Sequence, residues 1–241
     1  MSAVLCSNKC WAIIPAAGVG SRMGVPLPKQ YLKVAGATVL EHSLSALLAC
    51  DFIEKVIVAL NPLDNTAASV AALRDPRVLL VEGGESRSDS VLAGLAALRS
   101  LAQPDDWVLV HDAARPCIAP GDISALAQQV CSSGVGGILA VPMVDTVKHA
   151  GTDNIVDQTL PRDELWCAQT PQMFRFERLY SALKSATQQG LVITDEASAM
   201  ELQGERVQLV AGSVSNLKLT MPDDLPLIEF YLAQKNADTH L

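Results

Sequence analysis

Residues 15–30 read Pro15-Ala-Ala-Gly18-Val-Gly20-Ser-Arg22-Met23-Gly24-Val-Pro-Leu-Pro28-Lys29-Gln30, and this stretch decides the fold class. It follows an apolar run at 11–14, Trp-Ala-Ile-Ile, so it reads as a β-strand ending in a loop of small residues. Gly18 and Gly20 let the backbone turn sharply and come close to a ligand, with N–H groups able to point at phosphate oxygens. Arg22 and Lys29 put two cations beside that cradle. A polyphosphate nucleotide is the ligand such a loop suits.

The familiar phosphate loops are absent. No Gly, four residues, Gly-Lys-Ser/Thr string occurs in the chain, which removes the loop of common kinases and ATPases. The Gly-x-Gly-x-x-Gly fingerprint of dinucleotide-binding proteins is broken, because Met23 stands where its third glycine belongs. Glycines alone would serve as a plain strand-to-helix turn. Arg22, Pro28 and Lys29 together favour the ligand-binding reading.

Outward from the loop, short apolar or β-branched runs at 11–14, 55–60, 78–82, 107–111, 137–141 and 206–210 are expected to be strands. Helical patterns alternate with them at 40–49, 65–73, 89–100, 123–132, 176–189, 195–202 and 223–235. Thr38 with Glu41, and Thr220 with Asp223, read as capping boxes. This alternation predicts an α/β fold, a Rossmann-like and mostly parallel sheet with helices on both faces. Ligands of such sheets bind beyond the carboxyl ends of the strands, where the 15–30 loop must lie.

At 241 residues and 49% hydrophobic content, the chain is expected to form one domain over 1–241. There is no run of 18 apolar residues and no basic, apolar and cleavage-site pattern at the N-terminus, so a cytoplasmic protein with no membrane partner is expected. A net charge of −8 argues against a nucleic-acid partner and requires any phosphate to be bound by a local cationic cluster. The six cysteines, at 6, 10, 50, 117, 131 and 167, show no metal-ligand spacing and are expected to be reduced thiols.

One segment breaks the alternation. From about 142–174 the chain is polar and strand-like, with Asp145-Thr-Val-Lys148, a Gly151-Thr-Asp-Asn turn, Ile155-Val156 and Leu165-Trp-Cys-Ala. It is expected to be a β-hairpin arm projecting from the sheet, and exposure of Ile155 and Trp166 would make it the contact of a homodimer. A surface loop folded over its own subunit is the alternative.

Two further groups carry chemistry. In Val108-Leu-Val-His111-Asp112-Ala-Ala-Arg115-Pro116, Asp112 falls at a strand end, where a hard oxygen could take Mg²⁺ bridging phosphates or could simply cap a turn. In Gly83-Gly84-Glu85-Ser-Arg87-Ser-Asp89-Ser90, a glycine-rich loop opens a helix whose N-terminus favours anionic groups.

Eight motifs occur in order: Pro15-Ala-Ala-Gly-x-Gly-x-Arg-Met, Pro28-Lys-Gln, Asp89-Ser-Val, His111-Asp-Ala-Ala-Arg-Pro, Asp145-Thr, Thr170-Pro-Gln, Thr194-Asp-Glu-Ala and Asn216-Leu-Lys. In this set, spread over about 11–232, the chain resembles the 2-C-methyl-D-erythritol 4-phosphate cytidylyltransferases. The resemblance implies a single nucleotidyltransferase domain, a homodimer joined by its arms, Mg²⁺, and transfer of CMP from CTP to methylerythritol phosphate in non-mevalonate isoprenoid synthesis. It implies catalytic roles for Arg22 and Lys29, and acceptor-positioning roles for Arg162, Lys218, Thr146 and Thr194. Ala16, Ala17, Gly18, Gly84, Glu85, Ser90 and Asp112 would line the nucleotide site, with Asp112 on the metal. Some relatives are fused to the next enzyme of the pathway, and a chain ending at Leu241 is expected to carry one activity. The alternatives are a ribitol 5-phosphate cytidylyltransferase, an NAD-dependent oxidoreductase and a non-catalytic nucleotide-binding protein.

Overall fold

The computed structural model describes residues 7–18 and 27–238, so Arg22 lies outside the described residues. In chain order its elements are β1 (Cys10–Ala16), β2 (Lys33–Val34), β3 (Ala37–Thr38), α1 (Val39–Leu48), β4 (Ile53–Leu60), β5 (Val78–Glu82), α2 (Arg87–Leu98) and β6 (Trp107–Val110). Then follow α3 (Pro120–Ser133), β7 (Gly137–Pro142), β8 (Val147–Ala150), β9 (Val156–Leu160), β10 (Trp166–Arg175), α4 (Phe176–Gln188), α5 (Glu196–Leu202), β11 (Gln208–Ala211) and α6 (Leu225–Asp238).

A strand that is apolar on both faces needs cover on both faces. In β1, successive side chains point opposite ways: Ala12 and Ile14 join Leu40, Leu44 and Leu47 of α1 and Leu126 and Val130 of α3. Trp11 and Ile13 join Leu95 and Leu98 of α2, Leu179 and Leu183 of α4 and Met200 of α5. Between these layers lies a seven-stranded sheet of order β11-β7-β10-β6-β1-β4-β5. β1 pairs in parallel with β4 and β6, and only β10 runs against its neighbours, β6 and β7. A third apolar cluster joins Ile228 and Leu232 of α6 to Val34, Ala114 and Leu219.

The expected helix at 65–73 is instead two short 3₁₀ turns, Ala67–Ser69 and Ala71–Arg74, with Val70 extended between them. The buried residues Ala67, Val70 and Leu73 recur every third position, which is the period of a 3₁₀ turn rather than an α-helix. Thr38 and Glu41 form the full capping box of α1. At 220, however, it is Asp224 and not Asp223 that accepts from the backbone N–H of Thr220 (2.7 Å) and of Met221 (2.8 Å).

The segment 142–174 divides in two. β8 and β9 pair only with each other and stand exposed, whereas β10 runs back into the middle of the sheet. Its buried run Gln172-Met173-Phe174 fills both faces there. Cys131 is in a disulfide, which corrects the expectation of reduced thiols at that position, while Cys50, Cys117 and Cys167 are thiols. No helix among the described residues is long and apolar enough to cross a membrane.

Candidate active site

The chain passes from β1 to β4 on one side and reaches β6 on the other, so the strand order reverses between β1 and β6. A cleft of about 390 Å³ opens there, beyond the carboxyl ends of the strands. Ala16, Ala17 and Gly18 leave β1 into it, Gly84, Glu85 and Ser90 come from the loop and first turn of α2, and Asp112 follows β6. Lys29 and Lys218 complete it from the far wall. Nine residues singled out in the sequence thus share one cavity.

The wall formed by the β1 loop and the start of α2 is held by hydrogen bonds within the protein. Buried Gln30 donates from Nε2 to the carbonyls of Ala16 (2.9 Å) and Gly18 (3.1 Å), pinning the β1 loop from beneath. Ser90 Oγ accepts from the Gly84 N–H (3.2 Å) and donates to the Ser86 carbonyl (3.0 Å). Ser86 and Asp89 form the capping box of α2. The glycines bring these loops together: a Cβ on Gly83 would stand 2.5 Å from the Cβ of Ala17, and one on Gly84 would strike Asp89. Nothing lies within 4 Å of a Cβ built on Gly18, which faces open space.

The same cleft holds a charged cluster centred on Asp112. Its Oδ1 accepts from Arg87 Nε at 2.7 Å and its Oδ2 from Lys218 Nζ at 2.7 Å, with Arg115 Nε at 4.0 Å. Burial acts to raise the Asp112 pKa, but Arg87 and Lys218 outweigh it and hold the carboxyl well below the usual carboxylate range. Arg87 also donates from Nη1 (2.6 Å) and Nη2 (3.0 Å) to the two oxygens of Glu196, which is fully buried. Lys29 Nζ donates to the Leu219 carbonyl at 2.8 Å, beside the same cleft.

Asp112 is fixed from its backbone as well, its N–H donating to Thr170 Oγ1 at 3.0 Å. The Arg115 carbonyl, 3.2 Å from His111 Nε2, can only accept, so in the neutral ring the proton is on Nε2 and Nδ1 accepts from the Thr170 hydroxyl (3.0 Å). Burial lowers the His111 pKa to about 4, so the ring is neutral and structural.

The remaining candidates lie elsewhere. Thr146 and Arg162 are exposed on the hairpin side, outside the cleft, with Arg162 Nη1 donating to the Val144 carbonyl at 2.7 Å. Thr194 is exposed just before α5 and does not line the cleft. As for the metal, no group of three or more His, Cys, Asp or Glu among the described residues could hold one. Asp112, the residue expected on the metal, has one cationic group at 2.7 Å from each of its oxygens.

The family model of 2-C-methyl-D-erythritol 4-phosphate cytidylyltransferase matches residues 10–234. The chain belongs to this family. It is 50% identical over 224 residues to the cytidylyltransferase of that name from Vibrio vulnificus (strain CMCP6), covering 93% of this chain and 94% of that one. Identity to the protein from Vibrio parahaemolyticus serotype O3:K6 (strain RIMD 2210633) is 51% over 224 residues, 93% and 95% of the two chains. The crystal structure of the Francisella tularensis family member superposes with a TM-score of 0.80 at 38% identity, covering 93% of this chain and 100% of that one.

In and behind this cleft, the residues that sequence reasoning left without a role are Gln30, Arg87, Arg115 and Glu196. All four stood inside quoted motifs, but no local pattern says that a glutamine will turn back to its own loop. Glu196 opens a helix, where an acidic residue ordinarily reads as a solvated partner of the helix dipole. Its complete burial depends on Arg87, 109 positions away.

Proposed function

We propose that this chain transfers CMP from CTP to 2-C-methyl-D-erythritol 4-phosphate, releasing pyrophosphate, in isoprenoid precursor synthesis. The reading is carried by the family match over 10–234 together with a single cleft that joins the glycine loop, Lys29 and the Asp112–Lys218 pair. A phosphate oxygen of the acceptor forms a bond to the α-phosphorus of CTP as the bond to the departing pyrophosphate breaks. The monoester is largely ionised near neutrality, its second pKa being about 6, so the attack needs no general base. That suits the cleft, since His111 is buried and neutral and Asp112 is committed to two cations.

The remaining task is to hold several negative charges together, which falls to cations in a site of low dielectric. Lys29, with Arg22, is proposed to act on the charge at the α-phosphorus and on pyrophosphate, and Lys218 and Thr194 on the acceptor phosphate. Thr146 and Arg162 are proposed to reach the site of a second copy of the chain, in a homodimer joined by the β8–β9 hairpin. Exposed Val144, Ile155, Val156 and Trp166 on that hairpin and its flanks support this reading. A Mg²⁺ requirement is proposed for the nucleotide itself, because magnesium is commonly held by substrate phosphates and retained waters. The cytoplasm is the proposed location.

Pyrophosphate release measured across the four nucleoside triphosphates, with methylerythritol phosphate and ribitol 5-phosphate as acceptors, tests the assignment. The highest kcat/KM is expected for CTP with methylerythritol phosphate, in the presence of Mg²⁺. A tenfold preference needs only about 1.4 kcal/mol in the transition state, the worth of one good contact. A higher kcat/KM for ribitol 5-phosphate would overturn the acceptor and leave the cytidylyltransferase class.

A further inference from the structure

Arg87 spends all three of its nitrogens on two carboxylates, those of Asp112 and Glu196. Its guanidinium has a planar fork of donors, and the natural partner of Nε plus one Nη is a single carboxylate held by both. Here the fork is split. Nε alone goes to Asp112 Oδ1, while Nη1 and Nη2 go to the two oxygens of Glu196 at 2.6 and 3.0 Å. Asp112 is thereby left with one bond to Arg87, and its second oxygen meets Lys218 Nζ at 2.7 Å.

Glu196 itself is fully buried and does not line the cleft, so it acts on ligands only through Arg87. It is also held firmly: Ala197 N–H donates to Gln172 Oε1 (2.9 Å) and Gln172 Nε2 to Asp195 Oδ2 (2.8 Å), tying the first turn of α5 to β10. The chain Glu196–Arg87–Asp112–Lys218 therefore spans the molecule from α5, through the first residue of α2 and the end of β6, to the loop after β11. It links the glycine-loop wall of the cleft to the wall that carries Lys218.

We propose that Glu196 is a positioning residue for the transfer reaction: by holding both terminal nitrogens of Arg87 it fixes the guanidinium in the orientation in which Nε alone meets Asp112 Oδ1, and so steadies the Asp112 carboxylate whose second oxygen orients Lys218. Without the Glu196 charge the Arg87 guanidinium is no longer held in that orientation, and the Asp112 carboxylate that anchors Lys218 loses its support. The inference rests on the function proposed above, since Lys218 is assigned there to the acceptor phosphate.

A double-mutant cycle tests it, with initial rates of pyrophosphate release measured at saturating CTP and varied acceptor. Activity of the unsubstituted chain checks the function first, and its absence would fail that reading rather than this one. Glu196→Gln is expected to lower kcat/KM for the acceptor by about 10- to 100-fold, the scale of a small misplacement of a positioning group. In a Lys218→Ala background the same substitution is expected to cost no more than about threefold, because its route of action is gone. Equal losses in the two backgrounds, or unchanged rates for Glu196→Gln, would overturn the proposal. Glu196→Gln leaves a buried guanidinium short of charge, so its melting curve is recorded alongside. If it does not fold, Arg87→Lys, which keeps the charge but not the fork, enters the same cycle with the same expectation. Failure of both to fold would make the pair a folding element and overturn the positioning role.

Discussion

At the scale of single residues, the site separates groups that face the ligand from groups that hold them. Lys29 lines the cleft and is proposed to act on charge that develops during transfer, so Lys29→Ala should lower kcat by roughly 10²- to 10³-fold. CTP binding should change far less, which steady-state and equilibrium measurements on the folded variant would separate. A near-normal kcat would remove Lys29 from the assignment. His111 allows a different check. Burial lowers its pKa from 6.5 to about 4 in the folded protein, so as the pH falls the unfolded chain takes up a proton first. The stability this group contributes is complete above pH 6.5 and is lost on the way down to about 4, roughly 3 kcal/mol in all. Asp112, which burial would raise but Arg87 and Lys218 lower, loses its share only below its ordinary value of 3.8. Urea midpoints followed from pH 7 to 4 should therefore fall more steeply in the parent than in His111→Asn, and parallel curves would contradict the neutral buried ring. Residues such as Lys29, Asp112 and Lys218 were legible in the sequence because their motifs are contiguous. Gln30 and Glu196 were not, because their roles come from partners that only the fold brings near.

At the scale of elements, legibility followed hydrophobic period. β1, the stretch 56–60 of β4 and the stretch 78–81 of β5 are continuous apolar runs, and α1 announces its start with Thr38 and Glu41, so these were readable locally. β10 was not, because half of it belongs to each of two environments: Trp166-Cys167-Ala168 is exposed beside the hairpin, and Gln172-Met173-Phe174 is buried between β6 and β7. A strand that changes surroundings halfway shows neither a clean alternation nor a clean apolar run. The hairpin itself carries the second kinetic expectation. Arg162→Ala should raise KM for the acceptor while sparing oligomeric state, because a phosphate anchor acts in both ground and transition states. Mixing Arg162→Ala chains with Lys29→Ala chains should restore activity at one site in two if the hairpin serves its neighbour. A confirmed mixed dimer without recovery would place Arg162 in its own subunit's site.

At the scale of the whole molecule, a chain of net charge −8 must gather anions into one cleft. On the reading proposed above, a few cations set among low-dielectric walls do this by focusing their field in the cleft. Architecture was readable from composition and alternation, since strands and helices that take turns leave few topologies open. The position of β10 in the sheet was not, because antiparallel insertion depends on long-range pairing. That pairing has a practical side. Trp166 stands opposite Pro142, and the Met143 N–H donates to the Leu165 carbonyl at 2.9 Å, so the chain leaves the sheet and returns to it at a single doorway. Everything between, including Thr146 and Arg162, could be excised and the two ends rejoined by a tight turn. Gly18, Gly84, Lys29, Asp112 and Lys218 all lie outside that stretch, so one deletion would remove the hairpin and leave the lining of the cleft, and evolution could exchange the hairpin for another without disturbing the frame beneath it.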